Sequence, residues 1–119
     1  MYGVSVKMEF SAAHRLYNHP GACQHLHGHN WVVDVSFETE TLDAQGMVID
    51  FHLVYKGLDV VKEKLDHKLI NEVPPFDTLN PTAENLAQWI FNELTFALPL
   101  APSQVTIYET GNTVGWFRP

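Results

Sequence analysis

Cysteine occurs once, at Cys23, so no internal disulfide can form, and a reducing cytoplasm is the compartment this usage fits. Basic side chains are scarce as well. Seven Lys and Arg stand against fourteen Asp and Glu, a formal net charge of −7, which argues against a nucleic-acid or anionic-membrane partner. No apolar run approaches the ~20 residues that a membrane helix needs. The opening Met1-Tyr2-Gly3-Val4 has no basic stretch followed by an apolar one, so no secretory leader is expected. Repeats, low-complexity tracts and linkers are missing too, and 119 residues suffice for one core but not two, so a single domain over 1–119 is expected.

Histidine is what the chain has in excess. There are seven (His14, His19, His25, His27, His29, His52 and His67), four of them between positions 19 and 29. An acidic chain can still bind an anionic small molecule through a local concentration of positive charge, part of which a bound metal would supply. By charge alone, Lys7, Arg15 and Lys68 are the candidates for holding such an anion.

Hydrophobic periodicity places these residues on elements. Val4, Val6, Met8 and Phe10 alternate with polar residues over 2–12, and Trp31, Val33, Val35 and Phe37 do so over 29–40, which predicts two strands. Val54, Leu58, Val61 and Leu65 recur at helical spacing and predict a helix over roughly 51–66. Asn80-Pro81 reads as the N-cap and first position of a second helix with the stripe Ala83, Leu86, Ala87, Ile90 and Leu94, ended by Pro99 and Pro102. Residues 104–109 and 113–118 read as two closing strands around Gly111-Asn112. The expected order is ββααββ, an α+β domain whose open sheet edges invite association of subunits.

The segment Cys23-Gln24-His25-Leu26-His27-Gly28-His29 is the most informative. Residues i and i+2 of a strand share a face, so His27 and His29 can reach one metal ion. A bare HxH is more often a pair of surface histidines. His14, which closes the first strand, is the natural third ligand, and three imidazoles with one open position is the pattern of a catalytic zinc site. His19, His25 and His52 read as loop or helix-start residues. Cys23 has three possible jobs: fourth ligand, catalytic thiol or inert filler. Its polar, His-rich surroundings favour the reactive role. Asp66-His67 is either an oriented proton relay or a helix-end histidine, and spacing alone favours the second. Glu109 shares a strand face with Val105 and Ile107, so it either meets a ligand's N–H donors or ends in solvent.

Together these pieces are recognisable. Phe10 to Leu16, Cys23 to Asn30, Val48 to Phe51, Leu65-Asp66-His67, Asn80 to Ala87 and Tyr108-Glu109-Thr110, in this order, resemble the 6-pyruvoyl tetrahydropterin synthase family over essentially the whole chain. The resemblance implies the tunnelling fold (T-fold), with a four-stranded antiparallel sheet and two helices. It implies zinc held by His14, His27 and His29, a catalytic thiol at Cys23 helped by Asp66 and His67, and a pterin ring anchored by Glu109. It further implies a homo-oligomer joined edge to edge, a hexamer made of two trimers, with active sites between subunits.

Three residues separate Cys23 from His27. That spacing resembles the bacterial 6-carboxy-5,6,7,8-tetrahydropterin synthase branch of queuosine and deazapurine biosynthesis. That branch converts 7,8-dihydroneopterin triphosphate, with uptake of one water, to 6-carboxytetrahydropterin, acetaldehyde and triphosphate. The alternatives are the 6-pyruvoyl branch of the tetrahydrobiopterin pathway, a non-catalytic pterin- or zinc-binding protein, and a metal-free pterin aldolase of the same fold. After Glu109 the chain departs from the commonest family pattern, with Gly111, Asn112 and Val114 ahead of Trp116.

Overall fold

The computed structural model describes residues 1–119. Two long strands, β1 (Tyr2–His14) and β2 (His27–Thr39), pair antiparallel along their full length, from Tyr2 opposite Thr39 to His14 opposite His27. Alternation decides their faces. Phe10, Ala12 and His14 of β1, with Trp31, Val33, Val35 and Phe37 of β2, are buried on one side.

Two helices cover that side. In α1 (Phe51–Leu65) the Asp50 side chain caps the N-terminus by accepting the His52 N–H at 2.9 Å. Its stripe of Val54, Leu58, Val61 and Leu65 is fully buried, as the periodicity predicts. After α1 comes β3 (Lys68–Leu69), and then α2 (Ala83–Ala97) buries Leu86, Ala87, Ile90 and Leu94. The helices meet at Gly57, where an added Cβ would stand 3.0 Å from Leu94 Cδ2. β4 (Gln104–Thr110) then pairs with β2, and β5 (Thr113–Phe117) pairs with β4. One hydrophobic cluster joins the sheet to both helices. Each of its fully buried large side chains contributes about 1.5–3 kcal/mol.

Two expectations need correction. The sheet has five strands, ordered β3-β1-β2-β4-β5, not four, and the element order is ββαβαββ. The additional β3 is two residues long and runs parallel to β1, with Lys68 opposite Ala12 and Leu69 opposite Ala13. So short a segment shows no alternation. The second helix begins at Ala83, capped by Thr82, whose hydroxyl accepts the Asn85 N–H at 3.1 Å. Asn80 is not the cap because its side chain is spent elsewhere: Oδ1 accepts the Tyr17 N–H at 2.7 Å and Nδ2 donates to the Tyr17 carbonyl at 3.3 Å. Asn80 thus ties the approach to α2 to the segment that follows β1.

Candidate metal centre

The β1–β2 register builds the site. His14, the last residue of β1, lies opposite His27, the first of β2, and His29 follows on the same face. Ring centroids are 4.6 Å apart for His14 and His27, 4.9 Å for His27 and His29, and 5.4 Å for His14 and His29. Trp31, the next inward residue of β2, stands edge-on behind His14 at 4.8 Å and His29 at 5.2 Å. Its indole Nε1 donates to the Ala12 carbonyl at 3.1 Å, which fixes the ring as a floor.

Backbone carbonyls choose the tautomers. His14 Nδ1 is 2.8 Å from the Pro81 carbonyl and His27 Nδ1 is 2.7 Å from the His25 carbonyl. A carbonyl only accepts, so in both rings Nδ1 carries the proton and Nε2 offers its lone pair to the centre. His14 is 1% exposed. Burial, the largest cause, pushes its pKa below the ordinary value, so the ring is neutral as a ligand must be. The Nε2 atoms of His14 and His29 are both buried without a hydrogen-bond partner. Two such orphaned nitrogens within one cluster of ligand atoms fit a metal site.

Glu109 completes the cluster. It is the extra residue where the β4–β5 register shifts between Tyr108 and Thr110. Such bulges re-aim side chains and concentrate beside functional sites. Glu109 Oε1 lies 2.9 Å from His29 Nε2, without the alignment of a hydrogen bond, and 3.8 Å from His14 Nε2. One ligand atom from each of His14, His27, His29 and Glu109 falls within 4.8 Å of all the others. Three imidazole nitrogens and a carboxylate oxygen suit a zinc-like divalent cation.

Cys23 and the Asp66–His67 pair lie outside this cluster. Cys23 is half-buried in a 3-10 turn (Ala22–Gln24), where its carbonyl accepts the Leu16 N–H at 2.8 Å. α1 ends at Leu65, so Asp66 is its C-cap and His67 turns into the left-handed region at φ 57°. Asp66 Oδ1 accepts the Ser11 N–H at 2.9 Å and Oδ2 lies 3.0 Å from His67 Nδ1. The His67 ring, 82% exposed, thus lies against its neighbour's carboxylate. His67 and His29 border one open depression of about 510 Å³, lined also by Ser11, Gly28, Asn30 and Lys68. Among the other histidines, the rings of His25 and His52 are exposed, and His19 Nδ1 accepts the Gly21 N–H at 3.0 Å.

Four contributors were not singled out from the sequence as parts of the site. Trp31 was legible, since the i, i+2 pattern of His27 and His29 runs on to it. The carbonyls of Pro81 and His25 and the N–H of Ser11 were not, because backbone groups leave no mark in residue type.

Fold and site together define a T-fold protein with a three-histidine centre and a glutamate at its mouth. The sequence matches the family model of 6-pyruvoyl tetrahydropterin synthase over residues 3–119. A Rickettsia felis relative named 6-carboxy-5,6,7,8-tetrahydropterin synthase is 34% identical, over 89% of this chain and 92% of its own. The human 6-pyruvoyl tetrahydrobiopterin synthase is also 34% identical, over 93% of this chain and 87% of its own. Among solved structures, the Caenorhabditis elegans 6-pyruvoyl tetrahydropterin synthase superposes with a TM-score of 0.91 at 28% identity, covering 99% of this chain and 95% of that one. The chain belongs to the 6-pyruvoyl tetrahydropterin synthase family.

Proposed function

We propose that this chain is a zinc-dependent 6-carboxytetrahydropterin synthase acting on 7,8-dihydroneopterin triphosphate, within queuosine or deazapurine biosynthesis. Relatives bearing the carboxy and the pyruvoyl names are equally similar to it, so overall identity does not separate the branches. The observation that carries the choice is the spacing between Cys23 and His27: Gln24 ends the 3-10 turn, and His25 and Leu26 lead straight into β2.

His14, His27 and His29 would hold the zinc, His14 and His27 through the Nε2 lone pairs that their tautomers expose. Zinc in such a site supplies Lewis-acid polarisation of the substrate's side-chain oxygens. Glu109 accepts the amino and ring N–H groups of the pterin, two parallel charge-assisted hydrogen bonds that fix the ring. The Cys23 thiolate removes a side-chain proton. His67, held in one tautomer by Asp66, passes protons on as triphosphate departs and, with one water taken up to form the carboxyl group, the side chain is cleaved with release of acetaldehyde. Lys68 lines the depression shared by His67 and His29 and is the candidate for the triphosphate.

The assembly proposed is a hexamer made of two trimers, with active sites shared between subunits. Its support is the outer edge of β1, which pairs with β3 only at Ala12 and Ala13 and leaves a long row of backbone groups open. The exposed His67 fits a site completed across such an edge. No helix is long and apolar enough to cross a membrane, and the cytoplasm is the compartment proposed.

Incubation of zinc-analysed protein with dihydroneopterin triphosphate tests this reading, with mass spectrometry of the pterin and an acetaldehyde assay. Carboxytetrahydropterin with acetaldehyde is expected. A pyruvoyl product without acetaldehyde would move the chain to the tetrahydrobiopterin branch. Zinc binding with no turnover would leave a binding protein.

A further inference from the structure

Beyond His14 the β1–β2 ladder ends, and two side-chain amides take up the backbone groups that follow. Asn71 Oδ1 accepts the Arg15 N–H at 2.9 Å, and Asn71 Nδ2 donates to the Arg15 carbonyl at 2.9 Å. Asn80 grips Tyr17 in the same two-bonded way. An amide that accepts from and donates to one residue reproduces what a paired antiparallel strand does. Leu16 lies between the two gripped residues, and its N–H donates to the Cys23 carbonyl at 2.8 Å. This is the one backbone–backbone hydrogen bond between residues 15–18 and residues 19–26. Asn71 reaches Arg15 because β3 lies beside Ala12 and Ala13, so the next 3-10 turn (Ile70–Glu72) comes level with the end of β1. It is 8% exposed, and His14 and Asn71 are the only buried residues of polar or charged type. Burying an amide has a desolvation cost that an apolar residue would avoid, so the bonds it makes account for its place.

We propose that Asn71 is a positioning residue for Cys23: its amide fixes Arg15 and Leu16, and the Leu16 N–H fixes the turn that presents the thiol. The proposal rests on the reading of Cys23 as the base of the reaction. Asn71 acts through backbone groups and takes no part in the chemistry itself. It is the sensitive point of the chain of contacts. Tyr17 has a second anchor, its hydroxyl donating to the Phe76 carbonyl at 2.8 Å. The backbone N–H and carbonyl of Arg15 have no hydrogen-bond partner other than Asn71. Without the amide, Leu16 is free to shift, and the Cys23 turn shifts with it. A reacting group misplaced by about 1 Å costs about a hundredfold in rate, so a contact remote from the substrate can govern turnover.

The chain has one cysteine, so alkylation by iodoacetamide, followed by mass, reports Cys23 alone. Measured well above the ordinary thiol pKa of about 8.5, the rate reads access to the sulfur and not its ionisation. Zinc-loaded Asn71→Ala is expected to alkylate severalfold faster than the unaltered protein. Its kcat on dihydroneopterin triphosphate is expected to fall about a hundredfold, with KM and zinc content unchanged. Ile90→Val, a core change on α2, controls for stability and is expected to match the unaltered protein in both rates. Unaltered kcat and alkylation in a folded Asn71→Ala overturn the proposal. So does loss of zinc, which would move the effect to His14, and so does the same pair of changes in Ile90→Val. Hydrogen exchange needs no variant and decides the matter if Asn71→Ala folds poorly. The Arg15 and Leu16 amides of the unaltered protein are expected to exchange as slowly as those of β1. A Leu16 amide that exchanges freely overturns the proposal. Cys23→Ala separates the two levels. If it retains turnover, the reading of the thiol as base has failed, whereas alkylation still reports whether Asn71 holds the turn.

Discussion

Asp66 Oδ1 accepts the backbone N–H of Ser11 at 2.9 Å, and the N–H of His67 donates back to the Ser11 carbonyl at 2.6 Å. One residue of β1 is thus gripped by the pair that follows α1. The Ser11 N–H foremost, with His67 and Lys62 adding to it, holds the Asp66 carboxyl below its ordinary value, against a smaller opposing effect of burial. A carboxyl whose pKa is lower folded than unfolded binds fewer protons in the native state. Its contribution to stability is full above the ordinary value of 3.8 and is lost as the pH falls through the folded value. Asp66→Asn keeps an oxygen for Ser11 but cannot titrate. Urea midpoints followed from about pH 6 to about pH 3 are therefore expected to fall less steeply in the variant. The same variant no longer holds the His67 ring with a charge, and turnover is expected to drop by about a hundredfold or more.

Metal removal is the second test. The orphaned nitrogens of His14 and His29 gain partners only when an ion is bound. A ligand present at 100 times its dissociation constant adds about 2.7 kcal/mol to folding. Zinc is expected to raise the thermal midpoint of chelator-treated protein, and His27→Ala is expected to abolish that rise while leaving the metal-free midpoint little changed. Calorimetry with and without zinc reads both. An undiminished zinc effect in His27→Ala would remove His27 from the ligand set.

The parts of this centre differ in how visible they were beforehand. The i, i+2 rule placed His27 and His29 on one face, because side-chain direction along a strand follows position alone, and His14 entered as the residue that closes the first strand. The apolar stripes of α1 and α2 did the same for the core. Asn80 misled, since an Asn before Pro and a helical stripe satisfies every local cue for an N-cap. A contact with Tyr17, 63 residues away, took its side chain instead. β3 was hidden because two residues carry no period. The reach of Glu109 to the metal ligands depends on a bulge between Tyr108 and Thr110, a register event with no signature in residue type. The resemblance of the motifs to one known family supplied the roles proposed for Cys23, Asp66, His67 and Glu109, which spacing by itself left open.

Cys23 supplies a third prediction. It lies in the turn before β2 and not among the atoms that converge on the centre. Cys23→Ala is expected to retain one zinc per chain and to bind pterin normally, with turnover reduced about 10²–10⁴-fold. Atomic absorption on the purified variant is the deciding measurement. Loss of zinc in a folded protein would make the thiol a ligand and cancel its assignment as base.

Asn80 links the fold to the candidate metal centre. Its side chain clamps Tyr17 through both N–H and carbonyl, and its own carbonyl accepts from Asn85 Nδ2 at 2.9 Å. The next residue, Pro81, presents the carbonyl that sets the His14 tautomer. Asn80→Ala leaves Tyr17 backbone groups short of partners, at a cost of about 1–3 kcal/mol. It also loosens the Pro81 carbonyl. Outer partners of metal-bound histidines are worth about 10–100-fold in metal affinity, so zinc binding is expected to weaken by at least the lower figure. Competition with a chromophoric chelator measures that affinity, and urea unfolding of the metal-free variant measures stability separately. A variant that loses stability but binds zinc as tightly as before would show that Pro81 is held in place by its own ring and by α2, with Asn80 confined to anchoring the segment after β1.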